Sequence, residues 1–170
     1  MSGRTPGGLL LPDEEALGFV KSAPWPRRCE EPSASTNGLR IDAGYLSPYF
    51  ITDPERSTAE LDDAFVLATG QAIRKPHELV PILESVARTG RAVLVIAPVI
   101  EDEALALLVL NKLRGILRVS ALTAKDAESV ARYVKCRAMS GPIERLVVDD
   151  LGTARRIRSG MKSTVIVRVD

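Results

Sequence analysis

Few side chains in this sequence could act on a substrate: one histidine, His77, two cysteines, Cys29 and Cys136, and an adjacent acidic pair, Asp149-Asp150. A general base or a nucleophile needs a partner within hydrogen-bond reach. His77 follows Pro76 at what reads as a helix N-terminus, where it is a surface residue. Cys136 lies between Lys135 and Arg137, whose charges could lower a thiol pKa, but no histidine is placed near it. Asp149 and Asp150 on a strand would point to opposite faces, whereas a hard cation needs oxygens that converge. Two cysteines so far apart are neither a disulfide framework nor a metal knuckle. One bridge between them stays open, although a reduced cytosol accounts better for the pattern. The expectation is no catalytic residue, no metal and no cofactor, and hence no enzyme.

Composition points the same way. With 170 residues the chain has room for one ordinary domain and an appended tail. A hydrophobic content of 45% is enough for a core. Lys and Arg number 23 against 22 for Asp and Glu, so there is no net basic field to hold a phosphate backbone. The best basic patch, Arg155, Arg156 and Arg158, reads as a solvated face, and nucleic acid is not an expected partner. Leu9 to Leu11, ended by Pro12, is too short for a signal-peptide core, and no run approaches a membrane span. A soluble, cytoplasmic protein without membrane contact is expected.

Stepping along the chain, residues 1–38 differ from the rest. They hold five prolines (Pro6, Pro12, Pro24, Pro26, Pro32), and the stretch from Pro32 to Gly38 has linker chemistry. They read as a mostly irregular N-terminal arm with room for a short helix, Asp13 to Lys21. The domain is placed at 39–170. There the pattern alternates: strand 65–68, helix 76–89 ending at Gly90, strand 92–97, helix 101–114 ending at Gly115, strand 116–122 and helix 125–139. Short strands follow near 145–148, 155–157 and 164–169. Such alternation implies an α/β class with sheet layers flanked by helices.

Two of these helices carry more apolar surface than one interface needs. Helix 76–89 has Leu79, Ile82 and Val86 on one stripe and Val80, Leu83 and Ala87 on another, rotated by about a quarter turn. The next helix runs Ala104-Leu-Ala-Leu-Leu-Val-Leu110 without a polar interruption, apolar around its whole circumference. Enclosing one helix on all sides is hard in a domain of about 130 residues. Either both helices pack on a sheet and on each other with no groove, or an apolar face is exposed as a binding site. A third apolar element is Gly44-Tyr-Leu-Ser-Pro-Tyr-Phe50, with three of the seven aromatics of the chain. Pro48 keeps it out of a regular helix or central strand. It is either a lid on a core or a contact surface for another chain.

These elements, in this order, resemble the apical domain of the GroEL-type group I chaperonins. The residues that carry the resemblance are Gly44 to Phe50, Glu78 to Glu84, Glu103 to Asn111 with Arg114-Gly115, and Asp150 to Gly152. It runs without a gap from about Arg40 to Leu122 and more loosely beyond, where a loop after Leu122 and the stretch from Gly141 to Asp149 look shortened. The resemblance implies the apical-domain fold, of the swivelling β/β/α type. It implies a groove between the two helices that binds non-native polypeptide and the mobile loop of the co-chaperonin. Carried over by position, its residues are Tyr45, Tyr49, Phe50, Val80, Leu83, Leu105, Val109 and Leu110. The first 38 residues hold no glycine-rich phosphate loop and nothing follows Asp170, so no ATPase is expected. The implied activity is ATP-independent binding of non-native chains. The alternative is an interaction or regulatory module that docks on full-length chaperonin, on the co-chaperonin or on one dedicated partner through the same groove.

Overall fold

The computed structural model describes residues 3–33, 38–137 and 141–169. Its centre is a six-stranded sheet, and the strand that organises it is β2 (Ala59–Ala68). On one side β2 pairs in parallel with β3 (Ala92–Ala97), and β3 with β4 (Val119–Thr123). A parallel pair needs a crossover. Here the crossovers are α2 (Pro76–Thr89), between β2 and β3, and α3 (Asp102–Leu113), between β3 and β4. On its other side β2 pairs antiparallel with β5 (Gly152–Ser159), which continues through β6 (Thr164–Arg168) to β1 (Gly38–Ile41). The spatial order is β1-β6-β5-β2-β3-β4.

Burial follows the pairing. All six residues of β3 are buried, as a central parallel strand covered on both faces must be. The outer half of β2 alternates: Ala59 and Leu61 face the core, while Glu60 and Asp62 face outward. Opposite them stand Arg158 and Arg156 of β5, which pair with Glu60 (3.1 Å) and Asp62 (3.3 Å). Two of the three arginines of the basic patch, Arg156 and Arg158, are thus half of a set of cross-strand ion pairs.

Helix boundaries follow capping chemistry. α1 (Glu14–Lys21) starts at Asp13, whose carboxylate accepts from Ala16 N. α2 starts with Pro76 in its first turn, and Glu78 reaches back to the main-chain N–H groups of Arg74 and Lys75. α4 (Ala127–Val134) is shorter than expected, because Lys135 takes a left-handed conformation and ends it. Residues 138 and 139, which sequence periodicity assigned to this helix, lie outside the described residues, as do 34–37 of the expected linker.

The expected strand at 145–148 is not one. Residues Ile143–Arg145 and Val148–Asp150 form two 3-10 turns, and the carboxylate of Asp150 accepts from Val147 N (3.0 Å). Both edges of β2 are already taken by β3 and β5, so no edge of that strand is left for this segment. It lies against α2 instead, with Ile143 buried. The sequence also gave no sign of β1, which is short and needs β6 as its partner.

Candidate functional site

α3 occupies the middle of one face of the molecule. Ala104, Ala106, Leu107, Leu108 and Val109 are fully buried, and Leu105 and Leu110 are half-buried. Four neighbours enclose it: β4, α2, the aromatic segment and α1. The enclosure that a domain of this size does not easily provide is completed by the N-terminal arm.

The aromatic segment is held beside α3 by main-chain bonds. Tyr45 N donates to Gly160 O (3.1 Å) and Leu46 N to Ala121 O of β4 (3.0 Å), so the segment bridges the β5–β6 turn and the far edge of the sheet. Gly44 makes this possible, since a Cβ there would lie 2.2 Å from the carbonyl of Met161. Pro48–Phe50 then forms a 3-10 turn capped by the Ser47 hydroxyl. Phe50 is fully buried and Tyr45 is 2% exposed. The Tyr45 hydroxyl donates to Ser57 O (2.8 Å), and burial pushes its pKa up to about 12. This phenol stays neutral. Tyr49 is half-buried.

Of the eight residues carried over from the resemblance, Val80 and Leu83 stand on α2, Leu105, Val109 and Leu110 on α3, and Tyr45, Tyr49 and Phe50 on the aromatic segment that lies against α3 and β4, with unequal access. Tyr45, Phe50, Leu83 and Val109 are buried; Tyr49, Val80, Leu105 and Leu110 are half-buried. Residues 5–25 lie over this region. Thr5 to Leu9 form a tight turn, with Gly8 N donating to Thr5 O (2.9 Å) and Leu9 N to the Thr5 hydroxyl (3.0 Å). The turn is tied to α2 through Glu84, whose carboxylate accepts from the Thr5 hydroxyl (2.6 Å) and from Gly7 N. Leu9 is fully buried. At Leu10 the arm is tied to α3: Asn111 Oδ1 accepts from Leu10 N (2.8 Å), and Asn111 Nδ2 donates to Leu10 O (2.9 Å) and to Leu107 O (2.8 Å). α1 then lies along α3, and Lys21 pairs with Asp102 (3.3 Å). Phe19 stacks on Tyr49 with ring centroids 4.8 Å apart, and Trp25 on Tyr45 at 5.8 Å. Both arm aromatics remain half-exposed. Between α1 and α3 an open cleft of about 560 Å³ remains, lined by Phe19, Leu110 and Leu113 among others.

The apolar run at Leu9 to Leu11 is a candidate on sequence grounds for a groove contact with a neighbouring copy, and the structure docks it on its own chain. Asn111 and Glu84 are the contacts that residue patterning did not single out. A sign of the first was available. Asn111 stands one turn after Leu107 on an otherwise apolar helix, and a polar side chain enclosed in such a place has to find partners. The partner was a main chain about 100 residues away, which no local pattern encodes.

The arm leaves the groove through a second carboxylate contact. Glu31 accepts from Met161 N (3.2 Å), Lys162 N (3.1 Å) and the Ser163 hydroxyl (2.8 Å), with the Cys29 thiol donating to it (2.6 Å). Burial pushes the Glu31 carboxyl up, but the hydrogen bonds from Cys29, Ser163 and Lys162 outweigh it, and the pKa lies below the ordinary 4.5. Burial and then the Glu31 contact raise the pKa of the Cys29 thiol, which stays protonated. A depressed carboxylate stabilises the fold above its unfolded pKa and loses that contribution as pH falls through the folded one. The stability difference between the wild type and Glu31→Gln is therefore expected to be largest above pH 5. It should shrink steadily as pH falls below about 4.5, in urea titrations repeated across pH.

The residues with catalytic potential stay apart. His77 is exposed at the start of α2; Cys136 is buried, its Sγ 3.7 Å from Ala68 O; Asp150 caps a local turn. Among the described residues no group of three or more His, Cys, Asp or Glu side chains could hold a metal ion, and no helix is long and apolar enough to cross a membrane.

Known proteins are similar to this chain in sequence and in fold. The chain is 39% identical over 145 residues to the chaperonin GroEL of Anaplasma marginale, in both the Florida and the St. Maries strains. That similarity covers 78% of the chain and 26% of each relative, so the chain spans about a quarter of their length. No family model matches. Among solved structures, the chaperonin gp146 of the Pseudomonas aeruginosa bacteriophage EL superposes in two crystal forms. The TM-scores are 0.62 and 0.63, at 17% and 15% identity, over 79% and 84% of the chain and 29% and 30% of gp146. At that identity the likeness is one of fold. With the sequence similarity beside it, the α/β domain built on β2 and flanked by α2 and α3 is chaperonin-like, of the apical-domain type.

Proposed function

We propose that this chain binds non-native polypeptide in the α2–α3 groove without ATP, as a holdase. Residues 39–170 form the binding domain, and residues 1–38 an arm that accompanies it. The observation that carries this reading is the manner in which residues 5–11 are held. A segment with no charged side chain in contact with the groove is retained by one buried leucine, by Asn111 on a main-chain N–H and C=O, and by Glu84 on a turn N–H. Such contacts read backbone and aliphatic bulk and ask little of sequence, as capture of varied unfolded chains requires. Burial of client side chains would supply about 25 cal/mol per Å² before ordering costs. The half-buried Val80, Leu105 and Leu110 offer that surface at the rim.

The test is light scattering by a chemically denatured enzyme diluted into buffer with and without this protein. Wild type is expected to suppress aggregation at near-stoichiometric ratios, and Leu105→Glu and Leu110→Glu to lose most of that protection while staying folded. Absence of protection by the wild type would sink the holdase reading. Protection that survives both substitutions would place the site elsewhere.

A further inference from the structure

The groove in this chain is already filled, and by a segment whose chemistry is on the page. Leu9 is buried, Asn111 holds both main-chain groups of Leu10, Glu84 holds the turn, and α1 covers the outer side of α3. Taken together these are the contacts expected of a bound peptide: an apolar anchor, a backbone pair and a helix laid along an apolar face. Gly7 is built for the contact, since a Cβ there would lie 2.0 Å from the Glu84 carboxylate oxygen. Beyond α1 the arm is fastened again, at Glu31, to the turn at 161–163. A ligand tethered to the domain through Glu31 and the chain that follows it competes at a high effective concentration.

We propose that residues 5–25 are the resident ligand of the α2–α3 groove, and that an incoming chain gains it only by displacing them. The partner that fits is a polypeptide segment of the same kind: a turn that can donate a main-chain N–H to Glu84, followed by successive aliphatic residues with a free N–H and C=O for Asn111. This rests on the reading of the groove as a polypeptide site. The arm sets a threshold. Segments with one isolated apolar residue do not open the groove, and segments that match the arm do. Apparent affinity for any such segment is lowered by the fraction of molecules whose arm is docked.

The experiment uses the full chain and, as probe, a fluorescein-labelled synthetic peptide of residues 3–22 of this sequence, followed by anisotropy. Leu9→Glu removes the anchor of the arm, and Gly7→Val removes the Glu84 clasp without touching the apolar contacts. Both are expected to bind the probe about tenfold or more tighter than the wild type, and a probe carrying Leu9→Glu is expected not to bind. Equal affinity of wild type and variants, with all chains folded by circular dichroism, overturns the proposal. Should Leu9→Glu fail to fold, Gly7→Val decides alone. A wild type that is dimeric by light scattering and becomes monomeric with Leu9→Glu would show arms exchanged between copies, and overturns the intramolecular form. The two readings fail differently. If wild type suppresses client aggregation and the variants do so no better, the arm proposal falls and the holdase stands. If the variants bind the probe but neither they nor the wild type protect a client, the holdase falls and the arm proposal stands.

Discussion

Leu83→Glu is expected to unfold the domain, whereas Leu105→Glu should leave it folded. The two residues belong to the same apolar surface by sequence, yet Leu83 is 1% exposed and Leu105 half-buried. At position 83 a carboxylate would stand within a cluster of buried apolar residues, so it either protonates or draws water into the core. The lost burial and the charge together cost about 4–5 kcal/mol or more. A domain is typically stable by only about 5–15 kcal/mol, so a large unfolded fraction follows. Leu105 lies in the first turns of α3, where negative charge meets the positive end of the helix dipole. Its side chain can turn to solvent, and the expected cost is about 1 kcal/mol. Urea denaturation followed by circular dichroism separates the two. The contrast also decides how groove variants can be used. Loss of client protection in Leu83→Glu would report unfolding, and only half-buried positions such as Leu105 and Leu110 report binding.

The second large effect is expected at Asn111. Its side chain is fully enclosed and makes three hydrogen bonds, two to Leu10 and one to Leu107 O. Asn111→Leu keeps the volume and leaves the Leu10 N–H and C=O without their partners. Exchange of a satisfied pair for an unsatisfied one costs about 2–3 kcal/mol, which for a chain of this length lowers Tm by about 5–10 °C. A substitution that only loosened the core would accelerate amide exchange everywhere. Here the Leu10 amide should lose its protection first and most, with the amides of the turn from Thr5 to Leu9 following, while β3 amides change only with global stability. Uniform loss of protection would mean that Asn111 supports α3 rather than the arm.

These outcomes show how unevenly the fold and its site were legible. α2 and β3 appeared in the sequence at their observed bounds, and α3 within one residue at each end. Their periodicity, terminal glycines and β-branched content are local signals that the tertiary structure does not oppose. The run at 145–148 was read as a strand because short apolar runs carry no periodicity of their own, and in the structure it packs against α2 rather than joining the sheet. The basic residues of β5 read as a patch until pairing with β2 set Glu60 and Asp62 opposite them.

By itself the sequence determined that the chain builds an α/β domain, that α3 is apolar all round, and that Tyr45, Tyr49 and Phe50 stand on an irregular segment. Those are properties of composition and spacing. Whether the apolar surface faces solvent, another protein or its own chain was not among them. Only the tertiary structure decided that, because cover for α3 comes from residues 5–25, about 90 positions away, through one buried leucine and hydrogen bonds to main-chain groups that every residue type carries. A contact that reads backbone leaves little trace in the side chains of the segment being read.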